Sequence, residues 1–266
     1  MNSIESILNN SSLKITNPLT FNDPFDCNIP LMDVGNIDIK KLIKDEFSKV
    51  TGLSKNHPEL HKIINSSMDD FNKLRDGVLG DSREMISHWD TILSEFRVLS
   101  LTTEPDNILM WSHYAKDHTG IVLGFKSKSI IGKAEKVIYG EGNSLLNRFL
   151  EQMFRLLIRD AINENDTSTD DLANITIEIF SNYLFFKRQE WSYEKEYRLV
   201  LPSDDPTIKT TNTMDFIGFN IEDLHSITFG IATPEDEIDK ITKIIQEKYE
   251  HTFIYKAHKE GWNLRI

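Results

Sequence analysis

The spacing of apolar residues alternates irregularly between helical and strand patterns, and this alternation constrains the fold most. Residues 37 to 97 keep mainly helical spacing, whereas later apolar runs have strand character. The order is too uneven for repeated strand–helix–strand units, so the pattern predicts an α+β fold with a central, mostly antiparallel sheet. We expect a single domain over residues 1–266 with a helical insertion at about 37–97. The predicted strands are "LKIT", "RVLSLTT", "GIVLGF", "KVIYG", "YEKEYRLVLP", "SITFGI", "TFIYKA" and "WNLRI".

Helix boundaries follow from capping signals. Thr103 and Asp106 form a capping-box pattern that predicts a helix through about Lys116, and Thr233 with Asp236 predicts a second one. We also expect helices at Ile4 to Leu8, at 144–162 and at about 171–187, and we expect the last two strands to pair with each other.

The composition limits the classes of molecule that we expect the protein to bind. The net charge of −12 argues against nonspecific binding to nucleic acid and against binding to anionic membranes. No apolar run reaches the ~20 residues of a membrane helix, and the start lacks a signal-peptide pattern, so we expect a cytoplasmic protein. Cys27 is the single cysteine, so no intrachain disulfide can form, and we expect it to be a small buried residue.

The segment "MWSHYAKDHTGIVLGF", 110–125, holds the first candidate site. Trp111, Tyr114 and His118 lie three or four positions apart and share one face of a helix, with His113 to the side. The rings could stack on a ligand while a histidine acts as donor or acid/base. Alternatively, the aromatic residues fill the core and His118 caps a carbonyl.

The segment "WSYEKEYRLV", 191–200, holds the second. A strand here would place Glu194, Glu196 and Arg198 on one face. Two close carboxylates suit an acid/base pair. Arg198 could neutralise Glu196 or bind a ligand phosphate or carboxylate. A solvated face or a cross-strand ladder of charges is the alternative.

The segment "FNDPFD", 21–26, holds the third. Asn22, Asp23 and Asp26 are typical of an Asx turn that caps its own backbone, and the alternative is a loop that orients a ligand or metal. No H-E-x-x-H motif, no paired C-x-x-C, no phosphate-binding glycine loop and no G-x-S-x-G motif occurs, so we predict no metal site.

Together these segments resemble a family. "LTFNDPFDC", "MWSHYAKDHTGIVLGF", "VIYG", "KRQEWSYEKEYRLV" and "ITFGIATPEDEIDKITKII" look like the hallmark segments, in order, of the prokaryotic domain-of-unknown-function family 2971. Members usually carry a Tyr- and Arg-containing strand before the first helix, and we expect this chain to lack it. The resemblance implies one convergent pocket. The hallmark residues of the family correspond in this chain to Asn22, Asp23, Pro24, Phe25, Asp26, Trp111, His113, Tyr114, His118, Gly120, Trp191, Glu194, Glu196 and Arg198.

The leading functional hypothesis is an enzyme acting on a nucleotide-like substrate, with NAD as the best candidate, in stress or phage defence. The layout is similar in outline to ADP-ribosyltransferase-like proteins. Glu194 or Glu196 would stabilise the ribose cation, and Arg198 would hold the diphosphate. Trp111 or Tyr114 would stack on a ring, and His113 or His118 would orient a ribose hydroxyl. The alternatives are a phosphodiesterase or nuclease that uses His and carboxylate groups as acid and base or as a metal site, and a non-catalytic module that senses a ligand or binds a protein.

Overall fold

The computed structural model describes residues 4–27, 37–58, 87–140, 142–163 and 182–266, and positions 60–62, 64, 69 and 73. Helices and mainly antiparallel sheets occur together, so the predicted α+β class is confirmed. The described α-helices are Ile4–Asn10 (α1), Ile39–Thr51 (α2), Trp89–Ser94 (α3), Ile108–Tyr114 (α4), Gly142–Ile162 (α5) and Glu235–Lys248 (α6). The strands are Ser12–Ile15 (β1), Phe96–Thr102 (β2), Ile121–Phe125 (β3), Glu135–Lys136 (β4), Ile138–Gly140 (β5), Phe186–Arg188 (β6), Glu196–Pro202 (β7), Ile208–Thr211 (β8), Met214–Gly218 (β9), Leu224–Phe229 (β10), Phe253–Lys256 (β11), His258–Glu260 (β12) and Asn263–Arg265 (β13).

The chain forms two compact units. The first comprises residues 1–23, 93–138 and 190–266, and the second comprises 24–92 and 139–189. The described part of the predicted helical segment up to residue 92, including α2, belongs to the second unit. A single domain with an insertion at 37–97 stays a prediction.

Small sheets organise the first unit. β7 lies between β2 and β4, β10 lies between β11 and β3, and β9 lies between β1 and β8. In the β2–β7 pair, Ser100 is opposite Arg198 and Thr102 is opposite Glu196. The main core of this unit is formed by apolar side chains from α1, α6 and the strands, among them Leu8, Ile217, Leu224, Ile227, Phe229, Ile241, Ile245 and Tyr249.

Helices α2 and α5 pack together in the second unit, where Glu46 is fully buried. Its carboxylate accepts hydrogen bonds from Lys49 at 2.8 Å, from Arg155 at 2.9 Å and from Arg159 at 3.1 Å. Burial alone would raise the pKa of Glu46, but these three cationic donors outweigh burial and hold the pKa below its ordinary value.

The pairing predicted for the last two strands is wrong. β11 pairs in parallel with β10, whereas β13 forms a hairpin with β12. The apolar pattern did not predict a strand around Lys259 or a turn at Gly261. The structure forms strand β12 at His258–Glu260, and the hairpin turns at Gly261, which has a φ of 61°. Strand β13 therefore pairs with β12, which begins five residues before it, and β11 pairs with β10.

Two further boundaries differ from the predictions. Phe186 begins β6 and does not extend the predicted helix at about 171–187, most of which lies outside the described residues. Helix α6 begins after Pro234 without a side-chain cap, so the capping box predicted from Thr233 and Asp236 is wrong. The Thr233 hydroxyl donates instead to the carbonyl of Gly120 at 3.1 Å. Within the described residues, no helix is both long and apolar enough to span a membrane.

Candidate functional site

Helix α4 begins at Ile108 and is capped by Asn107. The Asn107 Oδ1 atom accepts from the backbone N–H groups of Leu109 at 3.0 Å and Met110 at 3.3 Å. The predicted start at Thr103 is wrong because the chain turns before the helix, where the Thr102 hydroxyl accepts the N–H of Glu104 at 3.0 Å. The shorter helix places Tyr114 at its last residue.

Trp111 lies in the core. Only 1% of its surface is exposed, and its indole N–H donates to the carbonyl of Pro105 at 2.7 Å. Its ring lies parallel to that of His118, with 6.4 Å between the ring centroids. The structure therefore places Trp111 in the packing role that the sequence left open as the alternative to a stacking platform.

His118 is fixed by its backbone and by Ser112. It follows Lys116 and Asp117 in a run of three positive φ angles, and its carbonyl accepts the N–H of Ala232 at 3.1 Å. The Ser112 hydroxyl donates to the carbonyl of Ile108 over 3.1 Å, and Ser112 Oγ also lies 3.1 Å from His118 Nε2, a hydrogen bond in which the donor depends on the histidine tautomer. His118 Nδ1 is buried without a hydrogen-bond partner among the described residues.

The two histidines therefore differ. His113 is exposed at the end of α4 and lies edge-on to Tyr114, with 6.3 Å between ring centroids. His118 is held between Trp111 and Ser112. No described contact joins His113 to His118, so the structure gives no support to their acting together as an acid and base.

Tyr114 and Glu194 form the first pair of candidate residues that the fold brings together. The Tyr114 hydroxyl donates to Glu194 Oε1 at 2.7 Å. Tyr114 is 49% exposed, whereas Glu194 is buried. An accessible aromatic ring is thus hydrogen-bonded to a carboxylate that water scarcely reaches.

Glu194 is not on the predicted strand. It ends the 3₁₀ helix Gln189–Glu194, and β7 begins two residues later at Glu196. Lys195 between them has a φ of 44°, in the left-handed region, and this single residue breaks the alternation of side chains. The predicted grouping of Glu194 with Glu196 and Arg198 on one strand face is therefore wrong.

Glu196 and Arg198 share a face of β7, as predicted, and form a buried ion pair. Arg198 donates from Nε to Glu196 Oε1 at 2.8 Å and from Nη2 to Oε2 at 3.1 Å. The Arg198 guanidinium also lies 5.4 Å from the centroid of the Phe21 ring. Arg198 is completely buried, so the arrangement favours neutralisation of Glu196 over binding of a ligand phosphate.

The third segment contributes to both units. Asn22 is exposed and Asp23 is half-buried in the bend that precedes Pro24, where the second unit begins. Asp26 lies in that second unit, and its carboxylate is 3.5 Å from Lys187 Nζ. Cys27 is buried, as predicted, and its thiol donates to Asp26 Oδ1 at 3.6 Å. Ligand contacts by Asn22, Asp23 and Asp26 stay predictions.

Residues 110–199 match a family model described as "Protein of unknown function (DUF2971)". This region belongs to the DUF2971 family. The resemblance inferred from the sequence is thereby confirmed over residues 110–199, and the DUF2971 region contains both the Tyr114–Glu194 pair and the Glu196–Arg198 pair. Comparison with curated proteins and with solved structures found no match.

Sequence analysis missed the residues that support the Tyr114–Glu194 pair. Thr102 donates to the carbonyl of Glu194 at 2.6 Å, and Asn107 donates to the carbonyl of Tyr193 at 2.8 Å. Both lie just before the DUF2971 region. An N-cap preference for Asn107 could have been found from its place before an apolar run, but its second hydrogen bond depends on the fold. Among the described residues, no group of three or more His, Cys, Asp or Glu side chains could hold a metal ion.

Proposed function

We propose that the DUF2971 region binds a nucleotide-like ligand, with NAD as the best candidate, and transfers or hydrolyses its N-glycosidic bond in the manner of ADP-ribosyltransferase-like enzymes. The Tyr114–Glu194 pair carries this proposal, because it places a half-exposed ring beside a buried carboxylate. A role in stress or phage defence belongs to the same proposal and rests on the hypothesis made from the sequence.

The chemistry requires a negative charge near the ribose. When the bond between ribose C1′ and the nicotinamide nitrogen breaks, its electron pair leaves with nicotinamide and the ribose becomes an oxocarbenium ion. The Glu194 carboxylate stabilises that cation. Water or an acceptor hydroxyl then bonds to C1′ and loses a proton. The Tyr114 ring stacks on the nicotinamide or adenine ring.

Under this proposal the remaining candidates take different roles. Glu196 and Arg198 neutralise each other at the start of β7. His113 is exposed beside Tyr114, and the proposal assigns it the role of orienting a ribose hydroxyl. Trp111 and His118 support α4 from the core side.

Substitution of Glu194 tests the proposal. Glu194→Gln keeps the size and a hydrogen-bond acceptor for Tyr114 while it removes the charge. We expect nicotinamide release from NAD, measured by chromatography on the purified full chain, to fall by about 10²-fold or more, the scale of a lost electrostatic contact in a transition state. Glu250→Gln, at an exposed turn position, is the matched control. Equal turnover in the wild-type protein and Glu194→Gln contradicts the proposal.

A non-catalytic module that senses a ligand or binds a protein is the second candidate. It is favoured by the burial of Trp111 and Arg198, which make internal hydrogen bonds. Under this candidate NAD or ADP-ribose raises the melting temperature without release of nicotinamide, because binding to the native state stabilises it by mass action. Thermal shift and chromatography on the same samples separate the two functions.

A further inference from the structure

We infer that Asn107 is the positioning residue that sets the Tyr114–Glu194 pair. Its Oδ1 atom holds the first N–H groups of α4, the helix that ends in Tyr114. Its Nδ2 atom donates at 2.8 Å to the carbonyl of Tyr193, the residue before Glu194. One amide side chain therefore connects the two chain segments whose side chains meet in the pair.

Thr102 holds the next carbonyl. Its hydroxyl donates to the carbonyl of Glu194 at 2.6 Å, so the carbonyls of two consecutive residues, Tyr193 and Glu194, are both fixed by side chains from one connection, 102–107. With both peptide groups held, the direction of the Glu194 side chain is defined. Helix α4 then spans about 9 Å, at 1.5 Å a residue, from its capped start to Tyr114 and fixes where the hydroxyl lies.

An asparagine suits this position because it must accept and donate at the same time. Serine and aspartate cap a helix start equally well, but neither has an amide N–H to give to the Tyr193 carbonyl. Aspartate would also bring a negatively charged oxygen against that carbonyl. A side chain that only caps should therefore leave α4 formed and release the segment that carries Glu194.

A double-mutant cycle tests the positioning role without a ligand. In the wild-type protein, Tyr114→Phe removes the hydrogen bond to Glu194 and should lower the urea midpoint. In Asn107→Ser, which keeps the cap and removes the amide, we expect the loss caused by Tyr114→Phe to fall by at least half. If Asn107→Ser does not fold, Asn107→Asp takes its place in the cycle, since it also caps and cannot donate.

Asn17 supplies a matched control in the same unit. Its Oδ1 atom caps the 3₁₀ helix Pro18–Thr20 through the N–H of Leu19 at 2.9 Å, and its Nδ2 atom donates to the carbonyl of Ser94 at 3.3 Å. Asn17→Ser therefore loses the same kind of bond away from Tyr114. The effect of Tyr114→Phe should be unchanged in Asn17→Ser. An equal effect in the wild-type, Asn107→Ser and Asn17→Ser backgrounds overturns the inference.

A second measurement, which rests on the proposed function, follows the site itself. We expect Asn107→Ser to lower kcat for nicotinamide release by about tenfold or more with little change in KM, and Asn17→Ser to change neither. If kcat is equal in both variants, Asn107 does not position the pair for catalysis. If the wild-type protein releases no nicotinamide and shows no thermal shift with NAD, the proposed function fails, and the urea cycle still decides whether Asn107 positions the pair.

Discussion

Arg198 shows at the residue scale how burial changes the role that a charged side chain can take. A guanidinium on the surface can bind a phosphate, whereas Arg198 is buried with two of its N–H groups donating to Glu196. Desolvation of such a pair is costly, and the favourable part of the interaction depends on both partners being present.

Removal of Arg198 alone should therefore be severe. We expect Arg198→Met to lower the free energy of unfolding by about 3–5 kcal/mol, because it leaves the Glu196 carboxylate buried without its cation. Urea unfolding followed by circular dichroism measures this loss. The double variant Glu196→Gln/Arg198→Met should recover part of it.

Arg265 provides the control for this prediction. It pairs with Glu260 at 3.0 Å, but both side chains are largely exposed, so Arg265→Met should cost less than about 1 kcal/mol. A loss of similar size in Arg198→Met and Arg265→Met would show that the Glu196–Arg198 pair is not desolvated as the structure indicates.

The sequence predicted which residue types lie near the site, but it predicted only some of their hydrogen-bond and ion-pair partners. The i,i+2 spacing correctly placed Glu196 and Arg198 on one face, because alternation is a local property of a strand. The alternation failed at Lys195, whose positive φ no periodic pattern signals. The bond between Tyr114 and Glu194 joins residues 80 positions apart, so it depends on how α4 and the 3₁₀ helix Gln189–Glu194 meet.

At the scale of elements, the turn from α4 into β3 packs against the chain that follows β10. A Cβ atom added to Gly230 would lie 2.0 Å from the carbonyl oxygen of His118 and 3.0 Å from Trp111 Cζ3. The first contact is closer than real Cβ atoms allow and the second is tighter than most real Cβ contacts, and the first is to backbone that is itself held by the N–H of Ala232. The backbone of these two segments can approach this closely only because residue 230 is glycine.

Gly230→Ala should consequently destabilise the chain by about 1–3 kcal/mol, the usual cost of overpacking, and should shift the fluorescence of Trp111. Thermal unfolding and tryptophan emission measure the two effects. Gly218→Ala is the comparison, since a Cβ atom there lies 3.9 Å from its nearest neighbour, the Ser11 carbonyl oxygen. Similar melting temperatures for the two variants would contradict the close approach at Gly230.

Local sequence patterns predicted most of the helices and strands, but they did not predict the residues at which these elements begin and end. Thr103 and Thr233 both match a capping pattern, yet Asn107 and Pro234 precede the helices. The hydroxyl of Thr233 instead binds the carbonyl of Gly120, over a hundred residues earlier in the chain, so a tertiary hydrogen bond replaced the local cap. The spacing of residues shows where a capping box can form, but it does not show which acceptor the side chain binds in the folded protein.

At the scale of the whole molecule, both units contain carboxylates whose pKa is held low by cations. Hydrogen bonds from Arg97 and then Thr210 lower the pKa of Asp215 in the first unit, and the cations around Glu46 do the same in the second. A carboxylate with a folded pKa below its unfolded pKa stabilises the protein above the unfolded value, and this contribution is lost as the pH falls through the folded value.

Acid should therefore destabilise the protein from about pH 4.5 downward, where Glu46 in the unfolded chain becomes protonated. We expect the melting temperature of the wild-type protein to fall steeply between pH 5 and about pH 3. Glu46→Gln should have a lower melting temperature than the wild type at pH 7, and its melting temperature should fall less steeply as the pH decreases. Glu250→Gln should follow the wild type. Parallel curves for the wild type and Glu46→Gln would contradict the role assigned to this network.

The fold class could be predicted for the whole chain because the alternation of helical and strand patterns is visible along it. The division into two units could not, since it depends on which distant segments pack together. Residues 24–92 join residues 139–189 across an intervening stretch, and apolar periodicity does not record such partners.

The interleaving of the two units has a consequence for the order in which they can mature during synthesis. All residues of the second unit have been made once the ribosome passes residue 189, whereas the first unit still lacks 190–266 at that moment. Its missing portion contains β7, β10 and α6, and with them most of the main core. Since a nascent chain grows by about 5–20 residues each second, at least about 4 seconds pass between the synthesis of Tyr114 and that of Glu194, and at least about 8 seconds pass before the rest of the unit is made.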